Sequence, residues 1–404
     1  MTATIRQCAI LAGGLGSRLG ALTAATPKPL LPCGDRPFLA WLMREFMRFG
    51  VTDFLLLTGH LSGAVEQALG DLQVHLPSPA RITLSTEPAP AGTAGALFHA
   101  RDRLEDRFLL ANGDTLFDCN LARLLADAAA DRSPSAHRLL LRPPPGGARF
   151  STVRLDGDRI TGFDAHGGSG PIHAGIGVFS RSLLDRTGSE SSLERDVLPR
   201  LAAQGLLHGT VADGYFRDIG VPGDYALAQV QIPPLLRRRA LFLDRDGVLN
   251  VDHGYVGTRE RFTWTDGALD ALRLATEAGW HVFIVTNQSG IARGFYTEAD
   301  VQALLDWMAD QVRMAGATID DVRFCPYHPN AKVEAYRRAH SWRKPEPGML
   351  LDLMRAWDVD PERAIMIGDQ QTDMAAANAA GIAGHLFPGG NLTEYLRQLL
   401  KDDV

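Results

Sequence analysis

Polar side chains follow directly after three short apolar segments in the second half of the chain. Asp244 and Asp246 follow segment 240–243, Thr286 and Asn287 follow segment 282–285, and Asp369 and Asp373 follow segment 364–367. Arg343 and Lys344 precede the third segment. Clustered carboxylates repel one another, and a hard cation such as Mg²⁺ keeps them ionised. A carboxylate beside Mg²⁺ can attack a phosphorus atom, while a hydroxyl and an ammonium group stabilise the phosphoryl oxygens. The pattern predicts phosphoryl transfer.

A glycine-rich segment in the first half predicts a second phosphate site. Residues 8–11 are apolar, and Ala12-Gly13-Gly14-Leu15-Gly16-Ser17-Arg18 follows them, with Lys28 further on. Glycines after a strand allow backbone N–H groups to approach phosphate oxygens, which Arg18 and Lys28 would neutralise. The segment is not a P-loop, because no Gly-Lys-Ser/Thr follows, and Leu19 replaces the third glycine of a dinucleotide fingerprint. Asp114 and Asp218 could together hold a Mg²⁺ that bridges nucleotide phosphates.

Both halves alternate short apolar segments with longer helix-like segments. Predicted strands cover 8–11, 54–57, 108–110 and 175–179 in the first half and 240–243, 282–285 and 364–367 in the second, and predicted helices include 38–49, 269–278 and 299–314. This alternation indicates α/β domains with largely parallel sheets, in which ligands bind beyond the carboxyl ends of the strands. The polar residues named above follow such strand ends.

The order of motifs in the second half resembles the haloacid dehalogenase superfamily of phosphohydrolases. The resemblance implies that Asp244 is the nucleophile and Asp246 the general acid and base. It also implies that Asp244, Asp369 and the backbone carbonyl of Asp246 hold Mg²⁺, with Asp373 in a supporting role. The resemblance further implies that the phosphate is bound by Thr286, Asn287, Arg343 and Lys344.

Three segments narrow this resemblance. Residues 251–256 (VDHGYV), 286–294 (TNQSGIARG) and 343–349 (RKPEPGM) look like the D-glycero-D-manno-heptose 1,7-bisphosphate phosphatase family. The likeness covers about residues 240–390. The related histidinol-phosphate phosphatases share part of the pattern and are the nearest alternative.

One loop departs from that family, whose members usually bind structural zinc through Cys-x-His and Cys-x-Cys. Here the loop reads Cys325-Pro326-Tyr327 and later His340-Ser341-Trp342, so only Cys325 remains of the four expected ligands. His328 and His340 could add donors, but zinc bound by nitrogen and sulfur needs four donors placed together. We therefore expect no structural zinc and predict that Tyr327 and Trp342 hold the loop by packing.

The first half resembles the sugar-1-phosphate nucleotidyltransferases over about residues 6–232. The segments that carry this resemblance are AGGLGSRL at 12–19, TPKPLLP at 26–32, GTAGA at 92–96, SLERD at 192–196 and DIG at 218–220. They look most like the heptose-1-phosphate guanylyltransferase branch. The resemblance implies direct attack of a sugar 1-phosphate on the α-phosphate of an NTP, with loss of pyrophosphate and no covalent enzyme intermediate. Enzyme residues would then position and neutralise the substrates.

The same resemblance assigns roles to individual residues of the first half. Arg18 and Lys28 would act on the triphosphate, and Asp114 and Asp218 would hold Mg²⁺. Nucleotide binding would involve, besides these, Gly13, Gly14, Gly16, Ser17, Glu87, Gly92 and Thr93. Sugar binding would involve Gly113, Gly175 and Glu194.

A second departure leaves two functions open. Relatives commonly place a Glu-Lys pair before Asn-Ala-Gly, where this chain has Asp164-Ala165 and His173-Ala174-Gly175. The leading hypothesis is a bifunctional enzyme that removes the 7-phosphate of heptose 1,7-bisphosphate and joins the remaining heptose 1-phosphate to NMP, with GTP favoured. The alternative, motivated by Ala165, is an active phosphatase with a non-catalytic nucleotide-sugar-binding module. Its substrate would be heptose bisphosphate or another small phosphate ester such as histidinol phosphate.

Length predicts more than one domain. The chain has 404 residues, and Pro233 and Pro234 should end one element before the apolar strand at 240–243. We predict two Rossmann-like three-layer α/β/α domains. A nucleotidyltransferase fold would span residues 1–234 and a haloacid dehalogenase fold residues 239–404.

Composition limits the classes of partner. The 41 Lys+Arg and 47 Asp+Glu give a net charge of −6, which does not support nucleic-acid binding. No apolar run approaches the roughly 20 residues of a membrane span, and no signal peptide is recognisable. The four cysteines lack paired spacing. We therefore expect a cytoplasmic protein that binds heptose phosphates and NTPs without nucleic-acid or membrane contact. The sequence does not decide between a monomer and a homo-oligomer.

Overall fold

The computed structural model of the protein describes residues 5–144, 151–164 and 169–402. The chain divides into two compact units, of which the first ends at Leu236 and the second begins at Arg237. Among these described residues, no helix combines the length and the apolar character needed to cross a lipid bilayer.

The first unit is built around a mixed β-sheet. Its strands are β1 (Gln7–Leu11), β2 (Pro32–Cys33), β3 (Arg36–Pro37), β4 (Asp53–Thr58), β5 (Arg81–Thr86), β6 (Arg107–Asn112), β7 (Thr115–Asp118), β8 (His137–Arg142), β9 (Thr152–Asp156), β10 (Arg159–Asp164), β11 (Ile172–Ser180), β12 (Leu207–Val211) and β13 (Tyr215–Asp218). Nine of them form one sheet in the order β5-β4-β1-β6-β11-β8-β12-β10-β9, while β13 pairs with β7 and β2 with β3.

Helices of the first unit pack against this sheet. They are α1 (Phe38–Arg48), α2 (Ser62–Gln67), α3 (Leu69–Val74), α4 (Gly92–His99), α5 (Leu121–Ala130), α6 (Leu198–Ala203) and α7 (Pro222–Leu236). One core cluster joins Leu97 of α4 and Leu201 of α6 to Phe108 and Phe179 of adjacent strands. The rings of Phe108 and Phe179 stack with centroids 6.3 Å apart.

The prolines near the end of α7 correct one expectation. Pro233 and Pro234 lie inside the last turn of the helix, which continues to Leu236, so they do not end the element that precedes them. Pro233 is buried and packs so closely against Gly34 that a Cβ atom there would lie 2.6 Å from its ring. This tertiary packing accounts for a helical turn that proline alone disfavours.

The second unit is a parallel α/β sheet with helices between its strands. The strands are β14 (Ala240–Leu243), β15 (His281–Asn287), β16 (Asp321–Cys325), β17 (Ala364–Gly368) and β18 (Ala383–Leu386), and the helices are α8 (Ala268–Glu277), α9 (Ser289–Arg293), α10 (Glu298–Met314), α11 (Gly348–Trp357), α12 (Gln371–Ala380) and α13 (Leu392–Asp402). The strand order is β16-β15-β14-β17-β18. All four pairings are parallel, so the carboxyl ends of β14, β15 and β17 lie side by side.

Every predicted strand and helix is present, but the expectation of largely parallel sheets was wrong for the first unit. There β1 pairs in parallel with β4 and β6, whereas β11 runs antiparallel to β6 and β8. An apolar segment reports burial but not chain direction, which long connections determine. The antiparallel pair β9 and β10 was missed, although Gly157, with a left-handed φ of 61°, marks its turn.

Candidate active sites

The glycine-rich segment of the first unit leads from the end of β1 into a cavity of about 390 Å³. Gly16 has a left-handed φ of 62°, a conformation that residues with side chains seldom adopt. The cavity brings together eight predicted residues, namely Gly14, Gly16, Ser17, Arg18, Lys28, Thr93, Asp114 and Glu194. It is also lined by Leu11, Ala12, Leu15, Pro29, Asn112 and Gly220, for which no role was predicted.

Lys28 joins the two carboxylates that were predicted to bind metal. Its ammonium group donates a hydrogen bond to Asp114 Oδ2 and lies 3.9 Å from Asp218 Oδ1. Antiparallel pairing of Thr115 with Asp218 brings the two acids together. Two converging carboxylates fit Mg²⁺, which in proteins takes one or two carboxylates and completes its shell with water and substrate phosphates.

Gly220 is a cavity residue whose lack of a side chain matters. A Cβ atom at this position would lie 3.1 Å from both Arg18 Nη2 and Lys28 Nζ, and 2.6 Å from Asp218 Oδ1. The Gly220 N–H donates to Asp218 Oδ1 over 2.6 Å. Glycine here therefore allows three charged groups to converge. Its place in the Asp218-Ile219-Gly220 motif was the signal that could have identified it.

Several predicted residues lie outside the cavity lining, namely Gly13, Glu87, Gly92, Gly113, Gly175 and Asp218. Most of the glycines among them permit close backbone packing. A Cβ atom at Gly13 would lie 2.9 Å from the Gly59 nitrogen, one at Gly92 2.6 Å from the Ser191 carbonyl oxygen, and one at Gly113 2.8 Å from the Leu11 carbonyl oxygen. Gly175, with φ of 77°, packs instead against the side chain of Asn112, which lines the cavity.

Thr93 and Glu194 form a polar contact at the cavity. The Thr93 hydroxyl donates to Glu194 Oε2 over 2.9 Å and accepts from the Leu193 N–H over 2.7 Å. Glu87 instead accepts a hydrogen bond from the Ala91 N–H over 3.2 Å. Burial lowers the pKa of His173, which precedes Ala174-Gly175. Ala165, on which the alternative function rests, lies outside the described residues.

In the second unit, Asp244 lies just after β14 and forms an ion pair with Lys344. The Lys344 ammonium lies 2.8 Å from Asp244 Oδ1 and 2.7 Å from Asp373 Oδ1, and it donates to the Val285 carbonyl over 2.9 Å. Burial raises the pKa of Asp244 to about 7, while the Lys344 charge opposes this shift and Asp373 adds to it. The arrangement fixes one oxygen of Asp244 beside a buried positive charge.

Asp246 is held by three neighbouring side chains for which no role was predicted. Arg245 Nη2 donates to both of its oxygens over 2.9 Å, Asn250 Nδ2 donates to Oδ1 over 3.0 Å, and Gln288 Nε2 donates to Oδ2 over 2.9 Å. The Asp246 side chain is 21% exposed, whereas that of Arg245 is fully buried. The available signal for Gln288 was its position directly after Thr286-Asn287.

Asp244, Asp369 and Asp373 form an acidic cluster at the strand ends. One carboxylate oxygen of each lies within 4.8 Å of the others. Asp369 Oδ1 is buried and has no hydrogen-bond partner among the described residues, and burial raises the pKa of Asp369. An unpartnered buried oxygen in an oxygen-only donor set fits a hard cation such as Mg²⁺, which would favour the ionised carboxylates.

The predicted metal set contained Asp246 in addition to Asp244 and Asp369. The Asp246 side chain lies outside the acidic cluster, and its predicted contact was through the backbone carbonyl. A Cβ atom at Gly247 would collide with the Asp369 carboxylate. Asp369 therefore packs directly on the backbone that follows Asp246, which suits that contact.

A cavity of about 180 Å³ opens over these groups. Its lining consists of Asp244, Asp246, Asp252, Thr286, Asn287, Lys344, Asp369, Gln370, Thr372 and Asp373. Asn287 Nδ2 donates to the Lys344 carbonyl over 3.0 Å and Asn287 Oδ1 accepts from the Lys344 N–H over 3.1 Å. Asn287 thus fixes the backbone of Lys344. Arg343 is outside the lining, and its guanidinium donates to the Tyr327 carbonyl over 3.1 Å.

The loop expected to be held by packing contains a stack of rings. The Tyr327 ring lies against His340 with centroids 4.5 Å apart, and the Arg338 guanidinium lies 3.9 Å from the Tyr327 centroid. Trp342 meets His340 edge-on at 6.1 Å. Cys325 is buried, and its thiol donates to the Tyr327 carbonyl over 3.9 Å. The predicted packing of Tyr327 and Trp342 is confirmed.

A second group of possible metal ligands lies in the first unit. Asp131, Asp158 and His208 are close together. The Arg138 guanidinium donates to Asp131 and, over 2.8 Å, to Asp158. Since Arg138 pairs with both carboxylates, the group is an ion-pair network.

Comparison with known families follows the same division of the chain. The model of the nucleotidyl transferase family matches residues 8–233, which is more than half of the chain. The protein belongs to the nucleotidyl transferase family. Residues 341–400 match the model described as HAD-hydrolase-like, where HAD denotes haloacid dehalogenase.

Relatives named as phosphatases match the second unit of the chain. The D-glycero-beta-D-manno-heptose-1,7-bisphosphate 7-phosphatase of Rhodopseudomonas palustris is 52% identical over 164 residues, which are 41% of this chain and 91% of the relative. The enzyme of the same name from Escherichia coli K12 is 44% identical over 143 residues, 35% of this chain and 75% of the relative. The second unit is thus a HAD domain of this phosphatase family.

A solved structure matches the first unit of the chain. HddC from Yersinia pseudotuberculosis is 26% identical, and the alignment covers 56% of this chain and 99% of that chain with a TM-score of 0.50. The predicted fold order, a nucleotidyltransferase fold followed by a haloacid dehalogenase fold, is confirmed.

Proposed function

We propose that the protein is a bifunctional enzyme that makes a nucleotide-activated heptose. Its HAD domain would remove the 7-phosphate of D-glycero-D-manno-heptose 1,7-bisphosphate, and its nucleotidyltransferase domain would transfer NMP from an NTP to the resulting heptose 1-phosphate. The first product is the second substrate, so the two reactions are consecutive. The observation that carries the proposal is the convergence of Asp244, Lys344 and Asp373 in the HAD domain, together with 52% identity to a 7-phosphatase.

In the phosphatase reaction, Asp244 would attack the phosphorus atom as the bond to the sugar oxygen breaks. Asp246 would give its proton to that leaving oxygen. A water molecule would then attack the aspartyl-phosphate, Asp246 would take its proton, and phosphate would leave with Asp244 regenerated. Lys344 and Thr286, both at most 3% exposed, would hold the phosphoryl oxygens where water screens charge little.

The acidic cluster would supply the metal site of the HAD domain. Asp244, Asp369 and the backbone carbonyl of Asp246 would hold Mg²⁺, which when bound neutralises the charge on the phosphoryl group. Asp373 would act on Lys344 instead, because its carboxylate lies 2.7 Å from the ammonium group and keeps it in place.

In the transferase reaction, the heptose 1-phosphate oxygen would attack the α-phosphorus of the NTP and pyrophosphate would leave. Gly14, Gly16 and Ser17 would line the triphosphate path, and Arg18 and Lys28 would neutralise it. Asp114 and Asp218 would hold a Mg²⁺ that lowers the charge repulsion between the two phosphates. Likeness to the guanylyltransferase branch favours GTP.

One observation favours the alternative of a non-catalytic first domain. Lys28 pairs with both carboxylates that would hold Mg²⁺, and Ala165 replaces a lysine that relatives use. A domain whose two acids already share one ammonium group could bind a nucleotide sugar without turnover. The HAD domain would then act alone on heptose bisphosphate or on an ester such as histidinol phosphate.

One series of incubations, with heptose 1,7-bisphosphate and, for comparison, histidinol phosphate as substrates, tests both proposals. The purified protein is mixed with heptose 1,7-bisphosphate, Mg²⁺ and one NTP at a time, and products are identified by mass, with EDTA in a parallel reaction. We expect phosphate, pyrophosphate and the NDP-heptose, with most product from GTP and none with EDTA. Heptose 1-phosphate without pyrophosphate would support the non-catalytic module. Faster turnover of histidinol phosphate than of the heptose would refute the substrate assignment.

A further inference from the structure

We infer that Gln288 and Tyr296 are positioning residues that fix the orientation of the Asp246 carboxylate and of the Thr286 hydroxyl. The inference rests on the proposed roles of Asp246 as general acid and base and of Thr286 as a phosphate ligand. Neither Gln288 nor Tyr296 lines the cavity over the acidic cluster, so both would act through these two residues.

The Gln288 amide uses all of its hydrogen-bonding capacity. Its Nε2 donates to Asp246 Oδ2 over 2.9 Å and to Thr286 Oγ1 over 3.0 Å. Its Oε1 accepts from the Tyr296 hydroxyl over 2.9 Å and from Arg245 Nη2 over 3.3 Å. Gln288 is 1% exposed, so water cannot substitute for a lost partner without rearrangement. Arg245 Nη2 has two hydrogens, which it shares with Asp246 and the Val256 carbonyl, so the shorter hydrogen bond from Tyr296 is the main one that determines which end of the amide faces Asp246.

Tyr296 in turn is fixed by two glycines. A Cβ atom at Gly257 or at Gly290 would collide with the Tyr296 ring. Since neither glycine has one, the ring fits against both backbones and its hydroxyl reaches Gln288. Burial raises the pKa of Tyr296 to about 12, so the hydroxyl keeps its proton and remains a donor.

The network would have two consequences for the phosphatase reaction. A carboxylate that protonates a leaving oxygen and later deprotonates water must keep one orientation, and Asp246 has donors on both oxygens that oppose rotation. Because Thr286 Oγ1 accepts a hydrogen bond from Gln288, the Thr286 hydroxyl can donate its own proton to a different acceptor. Thr286 lines the cavity, where a phosphoryl oxygen would accept that proton.

The Tyr296→Phe variant tests this inference with little change in shape. Without the hydroxyl, Gln288 can rotate its amide, and a rotated oxygen would repel the Asp246 carboxylate. We expect the single-turnover release of alcohol from heptose 1,7-bisphosphate to fall about 10-fold, with KM changed less than about twofold. Gln288→Met, which removes all four hydrogen bonds, should lower the rate further.

The substrate comparison separates positioning from general damage to the fold. p-Nitrophenyl phosphate has a leaving group that needs little protonation, so its single-turnover rate should fall much less in Tyr296→Phe than the rate for the heptose ester. Tyr395→Phe is the matched control, since it removes a hydroxyl that donates to the Leu386 carbonyl over 2.9 Å instead of to Gln288. It should leave both rates unchanged.

Three outcomes would overturn the inference. Unchanged rates in Tyr296→Phe, or equal losses on the two esters, would show that Tyr296 does not orient the acid. Equal losses in Tyr395→Phe would assign the effect to stability. Asp244→Asn is measured in parallel, because full activity of that variant would refute the proposed phosphatase mechanism itself. An inactive Asp244→Asn beside an unaffected Tyr296→Phe would refute the positioning role alone.

Discussion

The ammonium group of Lys344 lies 2.8 Å from Oδ1 of Asp244, although the two residues are far apart in sequence. Asp244→Asn keeps the size of the side chain and its capacity to accept this hydrogen bond, but it removes the nucleophilic charge. We expect phosphate release to fall more than about 10³-fold while pyrophosphate release continues at the original rate. Both are measured on one preparation with heptose 1,7-bisphosphate and heptose 1-phosphate as separate substrates. Loss of both activities would contradict independent sites.

Lys28→Ala should impair only nucleotidyl transfer. The change removes the cation beside Asp114 and Asp218 and a positive charge from the phosphate cavity. We expect pyrophosphate release to fall about 10²–10³-fold, as for loss of one charge-stabilising group in other enzymes. Arg132→Ala, which removes an exposed cation from the same unit, is the control and should have no effect. A matching decrease in phosphatase rate would refute this assignment of Lys28.

Gly220→Ala tests whether the convergence of charged groups needs a glycine. Its methyl group would meet Arg18 and Lys28 at 3.1 Å and displace both from the triphosphate path. We expect KM for the NTP to rise about 10-fold, which corresponds to about 1.4 kcal/mol of lost binding. Gly223→Ala is the matched control, because no atom lies within 4 Å of its added methyl group. Equal KM values for the two variants would show that Gly220 has no role in nucleotide binding.

His137 should make the first unit less stable as the pH falls. Burial, with Arg186 and Arg107 adding to it, lowers the pKa of His137 from 6.5 to about 4. Between these values the unfolded chain binds a proton that the folded chain does not. The free energy of unfolding of the first unit should therefore decrease by roughly 3 kcal/mol as the pH falls from 6.5 towards 4.

Hydrogen exchange of peptides from β8 and β11 between pH 7 and pH 4.5 measures this loss, after correction for the intrinsic exchange rate. His137→Gln, whose side-chain oxygen can still accept from the Ser180 N–H, should reduce the pH dependence of protection. An unchanged dependence in the variant would assign the effect to other groups.

The sequence predicted those site residues that lie at the carboxyl end of a strand or directly after it. Asp244, Thr286 and Asp369 could be identified because parallel strands end at one edge, and in the second unit all strand pairings are parallel. The link between Gln288 and Asp246 could not be predicted. It depends on the rotamer of a buried amide, which is determined by Tyr296 and by the packing of the Tyr296 ring on Gly257 and Gly290.

The first unit was predicted less completely for a related reason. The sequence showed that β11 is apolar, but its direction against β6 depends on how the chain returns to the sheet. Glycines illustrate the same limit. Gly92 and Gly113 belong to recognisable motifs, yet they are absent from the cavity lining and pack against the Ser191 and Leu11 carbonyl oxygens. A motif identifies a residue as important without saying which of its faces the ligand meets.

The pairing of Thr115 with Asp218 makes the proximity of Asp114 and Asp218, the two acids proposed to bind metal in the first unit, a property of the folded chain alone. In the unfolded chain Asp114 and Asp218 are distant, so a ligand that needs both carboxylates binds only the native state. By mass action, Mg²⁺ with NTP at 100 times its dissociation constant would raise the free energy of unfolding of this unit by about 2.7 kcal/mol. The concentration of nucleotide would then determine the unfolded fraction of the first unit, and with it the rate at which proteases degrade this unit.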